Sequence, residues 1–135
     1  MVRYTVDAVA LLVYLVDALP RRADQLFAEA EAGETDVEAP STALAEVLYS
    51  VSRDKDVRGV ALSVSSEKAR QALVSNGSIA VADMGDEEIA ECTQVVNEFS
   101  IHDGLVVASH RVADTEAVIT TDGVIDKAGV DTVWN

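Results

Sequence analysis

Short β-branched runs alternate with helix-patterned segments along the whole of this chain, and that alternation limits the folds open to it. Val2–Val6, Thr35–Ala39, Ser78–Ala82, Ala117–Thr121 and Asp131–Trp134 read as strands. The first helical run, Val9–Val16, is apolar nearly all round and can be capped by Asp7. Arg21–Ala32 follows, with Pro20 at a first-turn position and Gly33 as its stop. Pro40-Ser41-Thr42 starts a helix to about Arg53, and Asp54-Lys55-Asp56 is a charged connection. Val57–Ser75, Asp86–Phe99 and Asp103–Val112 are helical in pattern, Asn76-Gly77 is a turn signal, and Gly123–Lys127 is a short helix or turn. No linker, repeat or low-complexity stretch interrupts the series. The pattern predicts an α/β fold: a three-layer α/β/α sandwich around a mostly parallel sheet of four to five strands.

The 135 residues suit one domain, 1–135. Its core should be built from small side chains, since the chain holds 22 Val and 20 Ala but is only 4% aromatic. The single cysteine, Cys92, excludes an intramolecular disulfide and a cysteine-based zinc site. Leu11–Val16 is too short to span a bilayer, and no signal-peptide pattern is evident, so a cytoplasmic location is expected. The net charge of −14 makes a soluble, self-repelling surface. It also fits adaptation to high salt, because molar salt shortens the Debye length to ~3 Å. General nucleic-acid binding at low salt is disfavoured, because phosphate binding relies on Lys and Arg.

Four carboxylates fall at related places. Asp7 follows the first strand, Glu46 sits early in the third helix, Asp103 opens a helix, and Asp122 closes Val118-Ile119-Thr120-Thr121-Asp122. In a parallel α/β sheet, sites form at the carboxyl ends of the strands, where Asp7, Asp103 and Asp122 map. Each acid taken alone has an ordinary explanation: Asp7 and Asp103 as helix caps, Asp122 as a turn residue, Glu46 on a solvated face with Thr42, Ser50 and Arg53. Gathered together, they would repel and resist joint ionisation unless a divalent cation joined them. Mg²⁺ or Mn²⁺ suits all-oxygen ligands and keeps waters, one of which can be activated against a phosphodiester.

Other metal-and-acid designs fit less well. Asp7-Ala8-Val9 lacks the second acid of an Asp-x-Asp phosphatase, and Asp131–Asn135 lacks the lysine of a phospho-accepting receiver domain. There is no P-loop and no Gly-x-Ser-x-Gly elbow. His102 and His110 are too few for a His-rich site, and His102 reads as a hydrogen-bonding residue at a helix start.

Taken in order, Tyr4-Thr5-Val6-Asp7, Ala45-Glu46-Val47-Leu48-Tyr49, Ile101-His102-Asp103-Gly104-Leu105-Val106-Val107-Ala108-Ser109 and Ile119-Thr120-Thr121-Asp122 resemble the PIN-domain ribonucleases. Among these the chain looks most like the VapC-type toxins of toxin–antitoxin pairs. The resemblance implies an acidic pocket, Mg²⁺ or Mn²⁺, and endonucleolytic cleavage of RNA by a metal-activated water. Asp7, Glu46, Asp103 and Asp122 match the family's acidic positions as metal-binding and catalytic residues. Thr120 matches a supporting hydroxyl, and Asp126 corresponds to an additional acid of variable place. A homodimer and a small antitoxin partner are also implied. The chain departs from the pattern at Ala8-Val9-Ala10 and Ala43, which lack usual hydroxyls, and at Gly104, which replaces a more usual Ala. Those departures leave open an alternative: a catalytically weak PIN-fold RNA-binding or regulatory module.

Overall fold

Why the sheet is parallel follows from the connections: helical crossovers carry the chain back between its strands. In the computed structural model, which describes residues 1–135, the elements in chain order are β1 (Arg3–Val6), α1 (Ala8–Leu15), α2 (Arg21–Glu31), β2 (Asp36–Pro40), α3 (Ser41–Ser52), β3 (Asp56–Val57), β4 (Val60–Ala61), α4 (Ser66–Arg70), β5 (Ile79–Ala82), α5 (Asp86–Val95), α6 (Ile101–Ala113), β6 (Val118–Ile119), α7 (Gly123–Lys127) and β7 (Thr132–Val133). Five strands form one sheet in the order β5-β2-β1-β6-β7, every pair parallel. Thr5 stands opposite Glu38 of β2 and Val118 of β6, which fixes β1 at the centre.

Strand alternation divides the interior. Tyr4, Val6, Val37, Ala39 and Ile119 face one layer, where they join Leu11 and Val13 of α1, Leu26 and Phe27 of α2, and Val47 and Val51 of α3. Val118 faces the other, with Val95 of α5, Val106 and Val107 of α6, and Ile125 of α7. Thr5 on that second face is buried but satisfied: its Oγ1 lies 2.8 Å from Thr115 Oγ1, which is 2.7 Å from His110 Nδ1. No helix is long and apolar enough to cross a membrane.

Four expectations need correction. Val57–Ser75 is not one helix. Arg58 and Gly59 take φ of 52° and 78°, and this left-handed pair closes a two-residue β3–β4 hairpin. Only Ser66–Arg70 is α-helical, followed by one π-helical turn over Gln71–Ser75. Gly77 closes that turn; a Cβ there would lie 2.2 Å from the Ala72 carbonyl oxygen, so no other residue fits unshifted. The helix begun at Asp86 stops at Val95 rather than Phe99. Pro20 is the N-cap of α2 rather than a first-turn residue. Asp103 is not a cap either: α6 begins two residues earlier, and Ser100 caps it by accepting from the Asp103 backbone N–H at 3.3 Å.

Candidate functional site

The carboxyl ends of β1 and β6 are adjacent, so the residues just beyond them meet. Asp7 leaves β1 as the N-cap of α1, its Oδ1 accepting from the Ala10 N–H at 2.9 Å. Its Oδ2 accepts from the Thr120 hydroxyl, which lies just past β6. Thr120 Oγ1 in turn accepts from the Asp122 N–H at 2.9 Å. One buried hydroxyl thus links two acids that are 115 positions apart in sequence (122 − 7). Asp122 caps α7 through Oδ1, accepting from the Val124 N–H at 2.8 Å.

Asp103 reaches the same place from the first turn of α6, which runs back along the sheet with its N-terminus at the strand-end edge. Its carboxyl lies near enough to that of Asp122 to feel its charge. Glu46 arrives from α3, and its Oε1 lies 2.7 Å from His102 Nδ1. Asp7, Glu46, Ser100, His102 and Asp103 together line a cleft of about 280 Å³.

The electrostatics are those of crowded acids. Asp7 is only 8% exposed, and burial raises its pKa above the ordinary carboxylate value. The Asp122 and Glu46 charges add to that rise, while the bonds from Thr120 and Ala10 oppose it. Asp103 is pushed up to about 6, first by burial and then by the facing Asp122 carboxyl. Such a set of oxygen donors suits a hard divalent cation, which would relieve the repulsion that raises these groups. The side chains as they stand are open rather than closed: no three of His, Cys, Asp or Glu are close enough to ligate one ion together.

Of the acids singled out from sequence, Asp7, Glu46 and Asp103 share the cleft, and Asp122 adjoins it through Asp103 and Thr120. Asp126 is engaged elsewhere, its Oδ1 accepting from Thr132 Oγ1 at 2.9 Å and tying α7 to β7. One residue and one contact were missed. Ser100 supports the Asp103 backbone, which the pattern Ser-x-x-Asp before an apolar run could have signalled. His102 touches Glu46, a contact across 56 positions that no local signal reveals. Thr120, the supporting hydroxyl singled out from sequence, donates to Asp7.

No protein-family model and no curated protein matches the sequence. Solved structures do match it over nearly its full length. VapBC2 from Rickettsia felis, bound to a fragment of promoter DNA, superposes with a TM-score of 0.73 at 13% identity, covering 98% of this chain and 99% of that one. VapC20 of Mycobacterium tuberculosis, described as a Sarcin-Ricin loop cleaving toxin, gives 0.68 at 19% identity, again covering 98% and 99%. DNA-bound VapBC from Salmonella typhimurium gives 0.62 at 12% identity, covering 98% of each chain. The fold is therefore that of a PIN domain. The likeness to these VapC and VapBC structures is one of fold and covers 98% of the chain.

Proposed function

We propose that this chain is a divalent-metal-dependent endoribonuclease and the toxin of a toxin–antitoxin pair. The observation that carries the reading is the meeting of Asp7, Glu46, Asp103 and Asp122 at the strand-end edge of a VapC-like fold. Asp7, Asp103 and Asp122 would hold Mg²⁺ or Mn²⁺, with Glu46 completing the site or positioning the attacking water. When bound, the ion supplies a water acidic enough to attack a phosphodiester and charge to stabilise the phosphate. The protein's own part is orientation. Thr120 fixes the Asp7 carboxylate and the Asp122 backbone, Ser100 fixes the start of α6, and His102 fixes Glu46. Asp126 belongs to the support of α7.

The RNA-cleaving description of VapC20 supports the substrate class, and the VapBC complexes support an antitoxin partner. An apolar groove between α5 and α6, with Ile89, Val96 and Ile101 each more than half exposed, suits a protein partner or a second copy in a homodimer. The charge of −14 supports a high-salt setting, in which repulsion of RNA is screened.

A second reading, a PIN-fold binding module without turnover, is favoured by the open arrangement of the acids. Mn²⁺ titration followed by electron paramagnetic resonance tests the proposal at its base. The native chain should bind the ion, and Asp7→Asn and Asp103→Asn should each weaken binding at least tenfold. A chain that binds no Mn²⁺ refutes the metal site, and one that binds it without ever cleaving RNA is the module.

A further inference from the structure

A second cleft, of about 450 Å³, opens beside the acidic one and shares Glu46 and His102 with it. Tyr49 and Lys55 form its outer wall. Tyr49 is 57% exposed, an unusual place for a large aromatic ring in a chain that is only 4% aromatic. The Arg53 guanidinium, from the C-cap of α3, lies over the ring, 4.4 Å from its centre. It covers one face of the ring and stiffens it, leaving the rest to solvent. Neither Arg53 nor Lys55 makes an ion pair, although Asp and Glu outnumber Lys and Arg 24 to 10 in this protein. One unpaired cation, Lys55, and an exposed aromatic ring backed by Arg53 thus border a site that is otherwise acidic.

That combination is what single-stranded nucleic acid requires: a ring for one base to stack on, and positive charge along the adjoining backbone. We propose that Tyr49 is the stacking platform for an unpaired RNA base next to the bond that is cut. In this arrangement Arg53 backs the ring and Lys55 meets a phosphate. Glu46 and His102, common to both clefts, mark the passage between the platform and the acids. The strand is held by one base and a few phosphates rather than by a broad basic surface, which suits so acidic a chain. The inference rests on the ribonuclease reading above and adds a place where the substrate is recognised.

The test uses full-length chain carrying Asp103→Asn, so that RNA survives, and a short fluorescent single-stranded oligoribonucleotide read by anisotropy. Tyr49→Ala should weaken binding roughly tenfold, the size of one base–aromatic stack, while Tyr49→Phe and Tyr49→Trp keep it. Moving an abasic nucleotide along the RNA should find one position that causes a similar loss. At that position the abasic and Tyr49→Ala losses should not add. RNA with 4-thiouridine at that position should photo-crosslink to the peptide containing Tyr49. If the native chain cleaves RNA but Tyr49→Ala binds it unchanged, or if the two losses add fully, the platform is wrong and the ribonuclease reading stands. A Tyr49→Ala loss that no abasic position reproduces also overturns it, and would assign the surface to a protein. If the native chain neither binds nor cleaves RNA, both readings fall together.

Discussion

His102 Nδ1 lies 2.7 Å from Glu46 Oε1, so the one acid that comes from α3 is held by an imidazole from α6. Glu46 has a long side chain and is half-buried, and without a partner it would sample several rotamers. His102→Ala should therefore lower the turnover number by ~10-fold with little change in KM, a positioning loss. Asn places a nitrogen near the site of Nδ1, so His102→Asn should recover part of the rate, and His102→Gln should not. In a Glu46→Gln background, His102→Ala should add nothing further. Steady-state cleavage kinetics of the five variants, counting Glu46→Gln and the double variant, check this.

Thr120 is 3% exposed and serves two acids at once, donating to Asp7 and accepting from the Asp122 N–H. Thr120→Val keeps the shape, removes both bonds and strands the Asp122 N–H. Urea denaturation should show a loss of about 1–3 kcal/mol, the usual cost of a buried group left unpaired. Thr120→Ser should recover most of it.

Asp103 binds its proton more tightly in the folded protein, with a pKa of about 6, than its ordinary value of 3.8. The unfolded chain therefore releases that proton first as pH rises. The contribution is fully present below pH 3.8 and is lost as pH climbs to about 6. In metal-free buffer, the melting temperature of the native chain should fall across this window more than that of Asp103→Asn. Above pH 6 the variant should be the more stable of the two, and inactive. Parallel melting curves from pH 4 to pH 8 with chelator present measure the difference.

Gly104 sits in the interior of α6, and an added Cβ would meet Val95 and Phe99 at ordinary contact distances of 3.7 and 3.8 Å. The methyl group fits without a clash and the backbone is helical, so Gly104→Ala should stabilise by ~0.5–1 kcal/mol through helix propensity. Calorimetry should show a rise of a few degrees, with cleavage unchanged.

The sheet was readable from sequence because β-branched runs and helix patterns have different periods, and Val6, Val37 and Ile119 fell where a buried strand needs them. The β3–β4 hairpin was not, because Arg58 gives no sign of the left-handed backbone it adopts; only Gly59 hinted at it. Asp7, Asp103 and Asp122 could be placed at one edge from topology alone. The bonds that join them could not: Thr120 meets Asp7 across 113 positions, and His102 meets Glu46 across 56. Asp126, which the resemblance implied as an additional acid of variable place, accepts from Thr132, a contact that no local pattern signals.

The central claim is that these acids form a metal-dependent RNA-cleaving site. Its most direct test is a cleavage assay on short labelled RNA with Mn²⁺ or chelator, from ordinary to molar KCl, comparing the native chain with Asp103→Asn. The account predicts defined fragments only from the native chain with Mn²⁺, and a loss of at least a hundredfold in Asp103→Asn. Cleavage that persists undiminished in Asp103→Asn, or no cleavage at any salt concentration with Mn²⁺ bound, would contradict it.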